Sequence, residues 1–542
     1  MKYWLKHKLN TSTQKVHKLV LKLIIFSSLL LGSFSALAQP CVPWSDDFYL
    51  KPDLIVGTIK VNTGDIFELS NPKESRKIHQ VANKLHVKTK PRVIRRQLLF
   101  KQDDKFKQRV LDESARLIRA NRFIKDVEIT PFEVCGNSVN IKVKTNDRWT
   151  FTPGLSFGKS GGKNKSGIEF QENNLFGLGK SLSLNYKNNI ERHETILKYS
   201  DEQLLGSRLH LFASAISNSD GNGYQLDLSL PYYSLDNKRT WGTKNASIQQ
   251  ENSIYSKGDV IDKVTVDDKS HSVYKGWSKG LNNGSVSRFK VGWNYSETQY
   301  GQQKPISQSY PWFEYEYIKE QFTTRTNFKS MGEIEDVPLG LNYTFEVGLL
   351  DKELGSSENH IRLASTVSKG FEFKKSLGFI QSDLISYLGE GRLEGETLNL
   401  KGELFTFNDH GSDFYFSGNL QIKNNLQLGE QLLLGGETGL RGYPTGYQDG
   451  TKSLVFTAEK RFHFDWYPYQ LAKFGAVVFA DAGTAWGGDK KAEVLSDVGF
   501  GLRIIPTRTS KTKALHLDFA FPLDAGKNID GLQITLKTQQ NF

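Results

Sequence analysis

The residues with the most chemical potential in this chain are few. Gly158-Lys159-Ser160-Gly161-Gly162 has the G-x-S-x-G spacing of a serine nucleophile. That chemistry needs the serine on a sharp strand-to-helix turn, with a base in reach. Strand-like runs flank the segment and no helical pattern follows, so it reads as a turn. His193-Glu194 begins like a zinc-protease helix but lacks the second histidine one turn on. Cys41 and Cys135 are the only cysteines, too few for a structural zinc site. With no nucleophile–base pair and no metal-ligand set, the chain reads as a non-enzyme with no cofactor and no metal.

The elements around these residues point elsewhere. Lys2, Lys6, Lys8, Lys15 and Lys18 precede a short apolar core, Leu23 to Leu31, and Ala36-Leu37-Ala38 forms a small-residue cleavage site. This is the pattern of a secretory signal over residues 1–38, with Gln39 as the first mature residue. The apolar run is shorter than the about 20 residues that span a bilayer, and Pro40 before Cys41 argues against a lipoprotein. Export allows disulfides. Cys41 and Cys135 are therefore expected to pair, tying an N-terminal extension (39–52) to the domain that follows. The net charge is +12, but the cations are scattered among 59 acidic residues. No dense basic block marks a nucleic-acid partner.

Residues 53–147 carry mixed periodicity. Leu54 to Val61 is a β-branched strand; Thr89 and Pro91 open a helix with Val93, Ile94 and Leu98 on one face. A second helix is expected from Phe106 to Asn121, then two strands around Val127 and Ile129 and around Val139, Ile141 and Val143. The order predicted is β-α-α-β-β, with a basic insertion near Asn71 to Lys90. From Trp149 the period becomes two. Leu182, Leu184 and Tyr186 alternate with polar residues, as do Tyr224, Leu226 and Leu228, and Leu341, Tyr343, Phe345, Val347 and Leu349. A negative mean hydropathy with 12% aromatics suits strands that are apolar on one face only, with aromatic girdles at two interfaces. The fold class expected is mostly β: a transmembrane antiparallel β-barrel over residues 148–542, preceded by one small α/β domain. Repeats near two dozen residues give sixteen strands, with fourteen or eighteen as alternatives.

Several segments resemble the BamA/TamA-like outer-membrane assembly and translocation superfamily, the bacterial surface antigen family. Asn174-Leu175-Phe176-Gly177-Leu178-Gly179 is similar to its NLFGxG element, Gly439-Leu440-Arg441-Gly442-Tyr443 to its RGY loop, and Phe479-Ala480-Asp481-Ala482-Gly483 to its FxDxG strand. The β-α-α-β-β unit resembles a periplasmic POTRA domain. The terminal Phe542 resembles the aromatic signal by which outer-membrane barrels are recognised for insertion. The resemblance implies that the RGY loop enters the lumen and that Arg441 contacts the strand of Asp481, with Glu459 of the preceding strand nearby. It also implies an outer-membrane location in a Gram-negative bacterium with the small domain in the periplasm. The implied partners are outer-membrane lipids, unfolded or nascent protein clients, and the assembly machinery that inserts this barrel. The implied function is help with insertion of proteins into the outer membrane, or their translocation across it. About 110 mature residues before the barrel leave room for one POTRA domain, which favours an accessory or specialised factor. The alternative is a passive channel or surface structural protein that keeps the scaffold.

Overall fold

The computed structural model describes residues 40–50, 53–160, 163–189, 191–331, 334–389, 392–408, 412–510, 514–524 and 529–539. The signal segment, the Gly161-Gly162 pair and Phe542 lie outside the described residues. Two compact units are distinguished by their internal contacts. The first comprises the chain up to Lys60 with Phe100–Lys107 and Thr130–Lys142, and the second comprises Val61–Leu99, Gln108–Ile129 and Val143–Phe542.

In the first unit, Cys41–Pro43 pairs antiparallel with the end of strand Ile124–Cys135. Cys41 and Cys135 are disulfide-bonded across 94 residues of chain. A closed loop of that length contributes at most about 4–5 kcal/mol in the chain-entropy picture. The strand belongs to a four-stranded sheet with Ser138–Asp147 and Ile55–Gly64.

Three α-helices follow among the described residues of the second unit. They are α1 (Lys77–Leu85), α2 (Pro91–Gln97) and α3 (Gln108–Arg119). Proline at the first helical position starts α2, where its missing N–H costs nothing. Val93, Ile94 and Leu98 are buried as their spacing predicts, and Leu111, Ser114 and Ile118 are the buried face of α3. The sequence reading missed α1, so the observed order is β-α-α-α-β-β. Its apolar residues Ile78, Val81 and Leu85 do have helical spacing, but they lie among six cations between Asn71 and Lys90 and face outward.

From Phe151 onward, twenty antiparallel strands, counted among the described residues, form one sheet. The last, Gln533–Gln539, lies beside the first, Phe151–Ser160, so the sheet closes on itself. The expected sixteen is therefore corrected to twenty. Many hairpins turn within two to four residues, for example at 219–220, 257–258 and 283–284. The repeat is thus nearer twenty residues than two dozen. Ser160 pairs with Lys163 in one such hairpin, so the G-x-S-x-G segment joins two strands and no helix follows it.

The wall is apolar outside. Leu182, Leu184, Tyr224, Leu226, Val291, Phe313, Phe345, Phe416, Phe456 and Phe500 all project outward and are exposed. A water-soluble protein buries such residues; a belt of them on alternate positions is a lipid-facing surface. Among the described residues no helix is long and apolar enough to cross a membrane. The inward positions are polar and buried, among them Asp481, Asp497, Arg503, His516 and Asp518.

Candidate functional site: the lumenal lock, the rim and the inner hairpin

The site expected from sequence is a loop-to-wall lock. Strands Ser412–Lys423 and Lys452–Phe464 are joined by a 28-residue connection, 424–451. At its centre Arg441 turns a full fork onto the barrel wall. Its Nε donates to Asp481 Oδ2 at 2.7 Å and its Nη2 to Asp481 Oδ1 at 2.9 Å. Its Nη1 donates to Glu459 Oε1 at 2.9 Å, and the guanidinium carbon stands 3.4 Å from the centroid of the Phe479 ring. Thr457 Oγ1 also donates to Asp481, at 2.8 Å. The parity of the strands explains the convergence. Phe479 and Asp481 are inward neighbours on one strand, and Glu459 pairs directly with Phe479 on the next.

Gly442 and Tyr443 complete the lock. A Cβ at position 442 would stand 2.6 Å from Cβ of Asp497, so only glycine lets the loop lie this close to the wall. Tyr443 is fully buried, and its hydroxyl donates to the Ser496 carbonyl at 3.0 Å. Gly483 continues the Asp481 strand opposite Val455.

Sequence reasoning missed the wider network. Arg461 donates to Glu459 at 2.8 Å, Arg503 donates to Asp518 at 2.6 Å, and Asp518 lies 3.9 Å from Arg441. The one local signal was Glu459 and Arg461 at i and i+2, which share a strand face.

The second family motif forms a docking loop on the rim. Asn174 is completely buried. Its Nδ2 donates to Thr89 Oγ1 at 2.8 Å and its Oδ1 accepts from the Gly179 amide at 2.7 Å. The Thr89 amide donates to Asp147 at 2.7 Å, and His86 Nε2 lies 2.9 Å from the same carboxylate oxygen. Gly177 accepts from the Lys90 amide at 3.0 Å. It has φ +71°, and a Cβ there would stand 2.4 Å from the Lys88 carbonyl. Leu175 is half-buried and Phe176 is exposed. The motif thus fastens the entry of α2 to the barrel.

Other rim turns hold the rest of α2 and the other helices. Gln203 and Arg208 donate to carbonyls of Val93 and Leu98. On α3, Arg109 pairs with Asp236, and Glu113 accepts from the Leu235 amide at 2.7 Å. Next to α1, Arg508 donates to Glu74 at 2.5 Å and to the Ile66 carbonyl at 3.3 Å.

The Glu74–Arg508 contact carries a pH dependence. Burial alone would raise the Glu74 pKa. The Glu68 amide, Arg508 and the nearby Lys125 outweigh it and hold the carboxyl below its usual range. A carboxylate depressed in the folded state contributes stability above its unfolded pKa and loses it as pH falls through the folded value. Protection of residues 66–79 from hydrogen exchange, taken against the unstructured-chain rate at each pH, is therefore expected to fall only below the usual carboxylate range. In Glu74→Gln this acid step should vanish, and exchange should already be raised at neutral pH. A protection profile flat from pH 7 to 3 in the unmodified chain would refute the assignment.

A third feature had no counterpart in the sequence reading. Between strands Ile306–Lys319 and Asn342–Leu350, on the small-domain rim, a hairpin of Phe322–Thr326 and Ile334–Pro338 turns inward. Glu335 accepts from the amides of Phe328, Lys329 and Ser330 and so shapes its turn. Met331 is buried in a cluster with the inward residues Val477, Phe479, Ile505, Ala514 and Ala520. Phe328 packs on Phe405 with ring centroids 4.6 Å apart. The lock loop and the hairpin therefore enter from opposite rims and reach the same wall residue, Phe479. A polar cavity of about 280 Å³, lined by Lys329, Glu403, Arg441 and Glu459, separates them. Helix α3 grips the hairpin: Arg116 lies 3.2 Å from Glu320 and over the Phe322 ring, and Arg119 lies 2.5 Å from Asp336.

The profile of the Omp85 superfamily domain matches residues 174–542. Among solved structures, BamA from Haemophilus ducreyi lacking POTRA domains 1–3 is 13% identical, with a TM-score of 0.40 over 92% of this chain and 88% of that one. CdiB from Acinetobacter baumannii is 12% identical, with a TM-score of 0.43 over 92% and 77%. CdiB from Escherichia coli is 12% identical, with a TM-score of 0.44 over 92% and 79%. A search of curated protein sequences gives no match.

Proposed function

Because this chain belongs to the Omp85 superfamily, we propose that it assists insertion of proteins into the outer membrane of a Gram-negative bacterium, or their translocation across it, as an accessory or specialised factor. In this reading residues 53–147 are a single POTRA-like domain in the periplasm, and residues 148–542 are the barrel. The observation that carries the reading is the match over residues 174–542, which contains the docking loop and the whole lock. The seam supports it. The first strand carries Pro153, which lacks a ladder donor. On the small-domain rim the seam is bridged by main-chain bonds from Trp149 to Arg508 at 2.7 Å and from Ser510 to Trp149 at 2.9 Å. A seam whose first strand lacks a ladder donor is one that a client strand can enter by edge pairing.

A passive channel needs an open lumen, and the lock and the hairpin both occupy it. The chemistry proposed is non-covalent: the protein provides strand edges, not a nucleophile. The test is photocrosslinking in membranes with unfolded barrel clients. Probes at the outward seam positions Phe151 and Ile534 are expected to capture client, while one at Val291, on the far side of the ring, is not. Equal capture at all three positions, or none at the seam, would sink the proposal.

A further inference from the structure

The basic stretch from Asn71 to Lys90 is not used by the lock, the seam or the hairpin. Helix α1 within it has three distinct faces. One face is buried: His79 is inaccessible, stacks on Phe67 with centroids 4.4 Å apart, and lies 2.8 Å by its Nε2 from the Tyr469 carbonyl. Asn83, on the same face, exchanges two hydrogen bonds with the Phe67 main chain. A second face is polar, with Lys77, Gln80 and Lys84. The third is an apolar stripe of Ile78, Val81 and Leu85, exposed at 49%, 54% and 67%, continued by Val87 at 53%. Nothing among the described residues covers it.

What lies beside the stripe identifies its partner. Arg76, at the start of α1, stands over the Tyr469 ring at 5.1 Å. Tyr469 is exposed in the turn that follows strand Lys452–Phe464, and Phe464 and Trp466 in the same region are exposed too. Trp466 stacks on the Phe474 ring at 4.3 Å. Phe464 and Phe474 hold the outward, lipid-facing parity of their strands, so these rings form the rim of the apolar belt. The edge of the lipid-facing wall thus comes to the turn on which α1 rests. Its flanks are cationic: between Asn71 and Lys90 there are six cations and one carboxylate, and that carboxylate, Glu74, is turned inward onto Arg508.

We propose that α1 is an interfacial helix that lies in the surface of the membrane spanned by the barrel, with Ile78, Val81 and Leu85 at the depth of the upper acyl chains and the surrounding lysines against anionic lipid headgroups. An amphipathic helix binds a bilayer through exposed apolar area together with cations near an anionic surface. Here the barrel supplies the third requirement by holding the helix, through His79 and Tyr469, at the turn where its apolar belt ends. The lipid surface then anchors the small domain beside the barrel as well as the barrel itself.

The test uses the full chain reconstituted in phosphatidylcholine vesicles with and without phosphatidylglycerol. Both native cysteines are in the disulfide, so a single added thiol takes the probe. A fluorophore on Leu85→Cys is expected to be quenched severalfold more by lipids carrying a shallow nitroxide than one on Gln80→Cys, with the difference larger in the anionic vesicles. Equal quenching at the two positions overturns the proposal. So does shielding of position 85 that arises only when an unfolded outer-membrane protein is added, since the stripe would then be a protein-docking face. If labelling at position 85 prevents folding, hydrogen exchange of α1 in the unlabelled chain decides. Slower exchange in anionic than in neutral vesicles supports the proposal, and identical exchange overturns it.

Discussion

Arg441→Ala is expected to release the loop 424–451 and to cost the barrel on the order of 3–5 kcal/mol, the range for removing one partner from a buried ion pair. The magnitude follows from what the substitution leaves behind. Asp481 loses both of its charge-assisted bonds to the fork and keeps the Thr457 hydroxyl and the neighbouring Asp497 carboxyl, in a position closed to solvent. Glu459 keeps Arg461, so the loss falls mainly on Asp481. Arg441→Lys is expected to fall between the two, because an ammonium keeps the charge but cannot bond both Asp481 oxygens and Glu459 as one planar fork. Heat-modifiability of the folded barrel and protease cleavage within 424–451 are the measurements. A mutant that unfolds at the same temperature and resists protease as the parent does would remove Arg441 from the role given to it.

The second large effect concerns ion flow. The lock and the hairpin stand in series along one lumen, so removing either alone is expected to raise conductance only slightly. Replacing Phe322–Pro338 by a short turn leaves the loop around Arg441 in the path, and Arg441→Ala leaves the hairpin. Together they are expected to raise single-channel conductance by much more than the sum of the two single effects. The hairpin has its own handle. Reversing Arg116 and Arg119 to glutamate sets like charges against Glu320 and Asp336, and in the Arg441→Ala background the open fraction should rise on the order of tenfold, as for a shift of about 1.4 kcal/mol. Reversing Glu320 and Asp336 to arginine in the same chain should restore closure. A double variant that stays as tight as the parent would show that the lumen is blocked elsewhere.

The sequence made the barrel legible because its wall repeats. Leu182 and Leu184, or Phe414 and Phe416, announce their outward face by parity alone, and a polar partner between them needs a hydrated interior. The number of strands was not legible. Strand length varies too widely to be counted from spacing: Asp259–Asn282 runs to 24 residues while Lys180–Asn188 has nine, and turns such as 283–284 take only two. Helix α1 was hidden because its apolar residues serve an outside surface and sit among lysines, a pattern that reads as a loop. In the lock, Arg441 and its two acceptors were named through resemblance, and the structure brings them together. Arg503 and Asp518 were not named, since they join the cluster only through the register of neighbouring strands, far apart in the chain. The inner hairpin has ordinary strand composition. Nothing local in Phe322–Pro338 tells a chain to turn into the lumen; Met331 acquires its meaning only against Phe479.

The ring of contacts between the helices and the rim turns also acts as a gauge of circumference. Around the rim, α2 meets the turns near Gly177, Gln203 and Arg208, α3 meets those near Asp236, Glu320 and Asp336, and α1 with Glu74 meets those near Tyr469 and Arg508. Helices α2 and α3 pack on each other, and α1 is held to the Tyr469 turn through His79. A ring with two strands fewer would have a shorter rim, and its turns would not reach all three helices at once. The helices thus fit the rim of the twenty-strand ring, in which the last strand lies beside the first.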